Sequence, residues 1–366
     1  MRQRLLGGIA PRAFLRRYWQ KRPLLVRGAL PEYRGALDLR ALAALAARAD
    51  VESRIVERRG ARWKVKDGPF RQGVSLGRTH ATLLVSGVNL HLPAAERLLR
   101  RFAFLPQARL DDVMVSYAAP GGGVGPHADS YDVFLLQGSG RRVWRLEPPR
   151  AFRTAAGSPL RQIAGFEPGE EYLVEPGDLL YLPPGWGHDG VALEPGFTWS
   201  IGFRAPAGAE LASAFLDWLH ERGLPEAAYR DPGTRPTRYS GRIPQSMIHF
   251  SRAVIDRIRW RPGDVVRFLG EYLTAPKPHV VFPAVRRAPP IGKSPLRLDP
   301  KTQLLYSGTT FFINGESLVL ARREARVMRA LADHRRVAGR ALARAGLTAL
   351  AREWYCKGYL VLEKRQ

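Results

Sequence analysis

Disulfide chemistry is excluded from this sequence of 366 residues, because Cys356 is its only cysteine. One thiol allows neither an internal disulfide nor a cysteine-based zinc cluster, which is typical of proteins in a reducing compartment, so we expect a cytoplasmic location. No apolar run approaches the roughly 20 residues that a membrane-spanning helix needs, and no membrane partner is expected. Residues 1–23 contain no sustained apolar core followed by a small-residue cleavage site, so no signal peptide is predicted.

Acidic residues are scarce. The chain has 58 Lys and Arg against 33 Asp and Glu, which gives a formal net charge of +25. A surface this positive attracts polyanions, so we expect contact with RNA or the ribosome. The alternative is that arginine simply stands where other proteins use lysine, but this leaves the deficit of acids unexplained. Hydrophobic residues make up 45% of the chain, which indicates a globular protein.

The first predicted domain, residues 1–205, begins with helical periodicity and continues with short strand-like runs. These runs include "DVMVSYAA", "YDVFLLQ", "RRVWRLE", "DLLYLPP" and "FTWSIGFRAP". Turns with glycine and proline separate them, as in a sandwich or barrel of short strands. The pattern therefore predicts an α+β fold with a β-barrel or sandwich at its centre.

Two further regions follow. Residues 206–278 are predicted to be helical, and Leu211, Phe215 and Trp218 fall on one apolar stripe that would pack on the barrel or form a subunit interface. Residues 279–366 start with a proline-rich linker and then mix short strands and helices. This mixture favours a winged-helix-like module, a kind of domain that binds proteins as well as nucleic acids.

A possible metal site follows the glycine-rich stretch "PGGGVG". His127 and Asp129 are two residues apart, so on a strand both side chains would project from one face. A third ligand is available in "EPGDLLYLPPGWGHDG", where Pro183 and Pro184 form a stiff turn before His188. Two imidazoles and one carboxylate are the ligands of non-haem ferrous oxygenases. The H-x-D spacing alone is common and usually has no function, but its combination with this second motif predicts an iron site.

Arg142 is the predicted anchor of a cosubstrate. Oxygenases of this kind usually use 2-oxoglutarate, whose far carboxylate needs a fixed cation. In "RRVWRL", Trp144 and Leu146 are the apolar alternates, so Arg142 shares their inward face. A buried arginine is costly without an anion, and a two-point pair with a carboxylate would stabilise it. The alternative is that Arg142 pairs with a structural acid.

The same alternation in "DDVMVSYAA" places Asp112 and Ser116 on one face. Ser116 would donate to the cosubstrate carboxylate, although nearby backbone commonly satisfies such a hydroxyl. Asp112 would receive a cationic substrate side chain, or would form a salt bridge with one of the many arginines. Tyr131 shares the face of His127 and Asp129, where it would line the substrate path or pack as an ordinary core tyrosine.

These motifs resemble the JmjC-domain ribosomal oxygenases of bacteria. The similarity lies in "PGGGVGPHADSYDVFLLQGSGRRVWRL", "PGDLLYLPPGWGHDG" and "SIGFRAP", and "FLRRYWQKRPLLVRGAL" resembles the N-terminal signature of the group. The resemblance implies a double-stranded β-helix (the cupin-type jelly roll of JmjC proteins), a helical dimerisation region that makes a homodimer, and a C-terminal winged-helix domain. It also implies that His127, Asp129 and His188 bind iron and that Arg142 contacts the cosubstrate.

The implied activity is hydroxylation of a ribosomal protein with Fe(II), 2-oxoglutarate and O2. The chain is most similar to those members that hydroxylate the β-carbon of an arginine in the sixteenth large-subunit ribosomal protein. One alternative is a histidyl hydroxylase, a demethylase or a small-molecule oxygenase on the same core. Another is a cupin-like regulator that binds nucleic acid without catalysis.

Overall fold

The computed structural model describes residues 5–292 and 294–363. The parts of the predicted terminal domains at residues 1–4, 293 and 364–366 lie outside the described residues. In the described part of the chain, no helix is long and apolar enough to cross a membrane.

Helices lie before and after a central block of strands. The helices are α1 (Pro11–Arg17), α2 (Leu39–Ala46), α3 (Pro93–Arg100), α4 (Gly208–His220), α5 (Gln245–Ile255), α6 (Pro262–Thr274), α7 (Arg322–His334), α8 (Gly339–Arg344) and α9 (Thr348–Cys356). The strands are β1 (Leu24–Val26), β2 (Ser53–Arg59), β3 (Arg62–Asp67), β4 (Ala81–Val85), β5 (Leu110–Ala118), β6 (His127–Ala128), β7 (Val133–Gln137), β8 (Arg142–Glu147), β9 (Arg153–Thr154), β10 (Ile163–Ala164), β11 (Glu170–Val174), β12 (Leu179–Leu182), β13 (Gly187–Ala192), β14 (Gly196–Phe203), β15 (Pro295–Leu298), β16 (Leu304–Ser307), β17 (Thr310–Ile313), β18 (Glu316–Val319), β19 (Arg336–Ala338) and β20 (Leu360–Leu362).

The central strands form two antiparallel sheets. The large sheet has the order β1-β12-β7-β14-β5-β4-β2-β3, and the small sheet has the order β11-β8-β13-β6. Neighbours in each sheet are often distant in sequence, as expected for a jelly roll rather than a simple meander. The strand-like runs quoted above are all found as strands, which confirms that part of the sequence analysis.

Alternation in β7 shows how the large sheet is buried on both faces. Val133 and Leu135 pack with Trp144 and Leu146 of the small sheet. Phe134, from the other face of the same strand, belongs to a core that includes residues of α1, α2 and α3. Because successive side chains of a strand point to opposite faces, a strand covered on both sides is apolar throughout. The large sheet is therefore the middle layer, between helices and the small sheet.

The helical region packs through the apolar stripe of α4. The ring of Phe215 lies 5.1 Å from that of Phe268 on α6 (centroid to centroid), and the indole nitrogen of Trp218 donates to Glu271 at 2.8 Å. These contacts hold α4 against α6. By contrast, α5 has no buried residue.

The C-terminal strands and helices have a separate core. It contains Leu296, Phe311, Met328, Leu342 and Trp354, among others. Asn314 and Gly315 form the two-residue turn between β17 and β18, with φ of 48° and 88°. A type I′ turn needs two positive φ angles, and the Asn-Gly sequence favours it.

Gly270 is the point where α6 meets the C-terminal sheet. A Cβ atom at this position would lie 2.3 Å from Cγ of Phe312 on β17, closer than any real side chain approaches. The phenyl ring is buried, so a side chain at Gly270 would force the ring or the helix to shift. The absence of a side chain at Gly270 therefore sets how closely the helix and the sheet pack.

Candidate metal and cosubstrate centre

His127, Asp129 and His188 meet at one edge of the small sheet. His127 on β6 is the cross-strand partner of His188 on β13, and their ring centroids are 4.2 Å apart. The Nε2 atom of His188 lies 3.8 Å from Oδ2 of Asp129. One potential ligand atom from each residue lies within 4.8 Å of the other two. The structure thus brings the three predicted ligands together.

Both imidazoles are oriented by their own backbone. Nδ1 of His127 is 2.9 Å from the carbonyl oxygen of Gly125, and Nδ1 of His188 is 3.0 Å from that of Trp186. Because a carbonyl only accepts, each Nδ1 carries the proton and each Nε2 presents a lone pair. Burial lowers the pKa of His188 to about 4, with a further contribution from His127. The neutral ring is the form that binds a metal ion.

The local backbone differs from the prediction. The sequence suggests that His127 and Asp129 lie on one strand, but β6 ends at Ala128 and β7 begins at Val133 in the other sheet. Asp129 therefore comes close to His127 through a bend, which a hydrogen bond of 2.8 Å from the amide of Gly185 to its carbonyl oxygen stabilises. The interpretation as one continuous strand was wrong, although the two side chains still converge.

Gly125 explains one residue of the glycine-rich stretch. Its φ is +79°, and a Cβ atom there would lie 2.1 Å from Nε2 of Gln162. The amide of Gln162 donates to the carbonyl of Val124 at 2.8 Å. The chain before His127 is therefore held tightly against the Gln162 side chain, and glycine is needed because no side chain fits.

Arg142 is buried in the same region, with 4% of its surface exposed. Its Nη1 donates to the carbonyl of Gly190 at 3.3 Å, while Nε and Nη2 are buried with no hydrogen-bond partner. Burial lowers its pKa to about 10, and the charge of Asp189 opposes this change. Among the described residues no acid forms an ion pair with Arg142, so the alternative of a structural acid partner lacks support.

One cavity of about 550 Å³ contains the predicted site residues. It lies between the two sheets, and its lining includes His127, Asp129, His188, Arg142, Ser116, Asp112 and Tyr131. On β5 the odd-numbered neighbours Val113 and Val115 point into the helical core instead. The alternation predicted for Asp112 and Ser116 is therefore confirmed, while the functions of these residues stay predictions.

The residues near the cavity mouth differ in environment. The amide of Gly87 donates to Oδ2 of Asp112 at 2.9 Å, and burial raises the pKa of this carboxyl group, against the lowering effect of Lys277. Tyr131 is 39% exposed, and burial of its hydroxyl together with the charge of Asp129 raises its pKa. Asp112 thus presents an acidic group to a cavity that also holds a buried cation.

Two residues at the mouth were not found from the sequence. Asp111 lines the cavity beside Asp112, and Lys277, from the proline-rich segment after α6, forms an ion pair with Asp111. The doubled acid "DD" at the start of β5 was a usable signal for Asp111. Lys277 has no local signal, because only the folded chain brings it to Asp111.

The residues present fit a ferrous ion and a dicarboxylate. The two Nε2 atoms and the carboxylate are the donor set of a facial triad with open positions. The unpartnered atoms of Arg142 are buried donors that require an acceptor, since leaving them unsatisfied is costly. A carboxylate supplies two oxygens that match a guanidinium.

Comparison with known proteins identifies the family. A profile of the JmjC domain matches residues 97–211, and a profile of the ROXA-like winged helix matches residues 257–360. The chain is 40% identical over 264 residues to the ribosomal protein uL16 3-hydroxylase of Escherichia coli (strain K12). The aligned region covers 71% of this chain and 70% of that protein. The chain belongs to the bacterial JmjC-domain ribosomal oxygenases.

Solved structures agree with this family. An X-ray structure of E. coli YcfD matches with a TM-score of 0.84 and 31% identity, over 97% of this chain and 98% of that one. A structure of YcfD, a ribosomal oxygenase from E. coli, in complex with cobalt and 2-oxoglutarate matches with a TM-score of 0.79 and 32% identity, over 97% and 99% of the chains. The predicted resemblance is confirmed, and so is the fold class of a JmjC core followed by a winged helix.

Proposed function

We propose that this protein is an Fe(II)- and 2-oxoglutarate-dependent hydroxylase that acts on the β-carbon of an arginine in ribosomal protein uL16. The observation that carries the proposal is that a triad of potential metal ligands and the unpaired, buried Arg142 share one cavity. The name of the E. coli relative supports the ribosomal substrate. When bound, ferrous iron with 2-oxoglutarate and O2 supplies the chemistry that converts a C–H bond to C–OH, with succinate and carbon dioxide as co-products.

The residues of the site have separate roles in this proposal. His127, Asp129 and His188 hold the iron, and their backbone hydrogen bonds fix the direction of both imidazoles. Arg142 holds the far carboxylate of 2-oxoglutarate, and Ser116 donates a second hydrogen bond to it. The apolar walls of the two sheets exclude water from the space between these groups.

Acidic groups at the mouth support a cationic substrate. Asp111 and Asp112 both line the cavity. A guanidinium can be held by a carboxylate at two points, whereas a neutral side chain brings no positive charge to these acids. We propose that Asp112 receives the arginine side chain and that Tyr131 lines its path.

Mass spectrometry of uL16 tests the proposal. Full-length protein, ferrous iron, 2-oxoglutarate and purified uL16 are incubated, with the omission of 2-oxoglutarate as the control. The expected result is the addition of one oxygen atom to an arginine-bearing peptide. Oxygen on a histidine-bearing peptide of another ribosomal protein would favour a histidyl hydroxylase, and loss of a methyl group would favour a demethylase. Either result without arginine hydroxylation would contradict the proposal.

A homodimer formed through residues 206–278 is part of the proposal. Large apolar side chains are exposed along this region: Leu216, Tyr239, Ile243, Met247, Ile248, Ile255 and Trp260. Water contact with this much exposed apolar surface is unfavourable, and a second copy of the chain would cover it. Light scattering should give twice the mass of one chain, and Ile248→Asp with Ile255→Asp should give a monomer. A wild-type monomer would contradict this part of the proposal.

The winged helix is proposed to contact ribosomal RNA in the cytoplasm. Arg322, Arg326, Arg340 and Arg344 are exposed on α7 and α8, and no acid pairs with them among the described residues. A surface of this charge binds a phosphate backbone, and its affinity for RNA falls as the salt concentration increases. Binding of RNA that does not weaken between low and high salt would contradict this contact.

The boundaries 1–205, 206–278 and 279–366 are proposed for the three domains.

A further inference from the structure

Lys277 places a positive charge beside the acidic residues that line the cavity. It lies in the segment Ala275-Pro276-Lys277-Pro278, directly after α6. Its Nζ is 2.9 Å from Oδ1 of Asp111, which lines the cavity beside Asp112. A lysine from outside the two sheets therefore neutralises an acid that lines the cavity in which a cationic substrate side chain is expected.

The segment that carries Lys277 is fixed on both sides. The guanidinium of Arg204 donates to the carbonyl of Leu273 just before it, and the amide of Val280 donates to the carbonyl of Lys277 at 2.9 Å. Pro276 and Pro278 restrict the backbone next to the lysine. The Lys277 side chain thus extends from a rigid support, although it is half exposed and its end can move.

The charges at this position are closely balanced. Oδ1 of Asp111 also accepts from Nε of Arg204 at 3.2 Å. Partial burial lowers the pKa of Lys277, but the charges of Asp112 and Asp111 outweigh this effect and raise it. Two carboxylates therefore share two cations. Without Lys277, one negative charge would face the cavity with no counter-ion from this segment.

We propose that Lys277 is an internal counter-ion of the acidic pair Asp111 and Asp112, and that the guanidinium of the substrate displaces its ammonium from these acids. This inference rests on the proposed function in one respect, namely that the cavity accepts a cationic side chain. An ammonium is a compact point charge, whereas a guanidinium is planar and binds a carboxylate at two points.

A preference for arginine over lysine comes from the contacts that the incoming cation makes, because the free energy of separating Lys277 from the acids is the same for both. A substrate lysine would only exchange one ammonium for another, with little gain in free energy. A substrate arginine replaces a single contact by two parallel hydrogen bonds, so it gains from the exchange. A neutral side chain cannot replace the charge of Lys277 at all.

The test measures binding rather than turnover. Full-length protein is loaded with manganese and 2-oxoglutarate. Fluorescence anisotropy then gives the dissociation constants of three versions of the uL16 peptide that contains the target arginine, none of them hydroxylated. These carry arginine, lysine or the neutral analogue citrulline at the target position. The proteins are wild type, Lys277→Met, and the control Lys357→Met, which removes another ion-paired lysine, one outside the cavity lining.

We expect Lys277→Met to bind the lysine peptide about fivefold more tightly, because one competing ion pair is worth about 1 kcal/mol. The gain for the arginine peptide should be equal, because both peptides displace the same ion pair, so the affinity of both cationic peptides relative to the citrulline peptide increases. Citrulline binding, and all binding by Lys357→Met, should stay unchanged. Asp111→Asn should bind the lysine peptide with the same affinity whether or not Lys277 is also replaced.

Two outcomes would overturn the inference. Equal changes for all three peptides would show that Lys277 acts through the shape of the segment, and unchanged affinities would show that it does not compete. Hydroxylation of uL16 by wild type, measured in parallel, separates these outcomes from a failure of the proposed function. If wild type hydroxylates the arginine and Lys277→Met binds the arginine and lysine peptides no more tightly than wild type does, only the role of Lys277 is refuted.

Discussion

Replacing Arg142 by methionine should have opposite effects on stability and on ligand binding. Burial lowers the pKa of Arg142 from 12.5 to about 10. At about 1.4 kcal/mol per pH unit, this corresponds to on the order of 3 kcal/mol by which the folded protein disfavours the charged group. Methionine fills a similar space without a charge. Without ligands, the free energy of unfolding should therefore stay the same or rise. The rise is at most about 3 kcal/mol, and the loss of packing and of the hydrogen bond to Gly190 reduces it.

The same substitution should remove the carboxylate anchor. Truncating one partner of a buried, hydrogen-bonded charge pair costs roughly 2–5 kcal/mol, which is about 30-fold or more in affinity. The assay is titration of manganese-loaded protein with 2-oxoglutarate, followed by tryptophan fluorescence. Trp144 is a suitable reporter, since its ring centroid lies 5.6 Å from Cζ of Arg142. Urea unfolding of the ligand-free protein gives the stability.

Arg145→Met is the matched control for this experiment. Arg145 lies on the same strand, but it is on the exposed face, where Nε is 3.0 Å from Oε2 of Glu171. Its loss should change 2-oxoglutarate affinity little and stability by less than about 1 kcal/mol. The reasoning is refuted if Arg142→Met binds 2-oxoglutarate as tightly as wild type does, or if it is destabilised by several kcal/mol.

Three further substitutions test separate parts of the structure. Asp129→Ala should abolish hydroxylation and weaken cobalt binding by more than about 100-fold in calorimetry, since it removes a ligand rather than an outer partner; retained turnover would contradict the metal site. Asp112→Asn should weaken an arginine peptide about tenfold and leave a citrulline peptide unchanged in anisotropy; equal weakening would disprove a charge effect. Glu271→Gln should lower the free energy of unfolding by about 2 kcal/mol at neutral pH in urea titrations. Burial raises the pKa of Glu271, but hydrogen bonds from Trp218 and Arg267 outweigh it and lower the pKa. The stabilisation is therefore present above the pKa of an ordinary glutamate and disappears as pH falls through the folded value, so the difference between the variant and wild type should shrink in acid.

The strands of the core could be predicted because buried and exposed side chains alternate along their sequence. In β5 and β8, alternation alone separates side chains that face the cavity from those that face the outer layers, and Arg142 was found in this way. Prediction from the sequence worked here because a strand has a fixed period of two.

The path between His127 and Asp129 could not be predicted in the same way. No period describes a bend, and the chain changes from the small sheet to the large one within a few residues. Lys277 was missed for a related reason. A proline-rich segment is rightly identified as lacking helix and strand, but its composition does not say which distant surface it lies against.

The tight contact between Gly270 and Phe312 limits how this family can be recombined. A chimaera that takes the winged helix from one relative and α6 from another would inherit two surfaces that were shaped separately. If either parent carries alanine at the glycine position, the ring opposite must differ to match. Exchange of modules should therefore succeed when the crossover lies upstream of α6, so that helix and sheet are inherited as one unit.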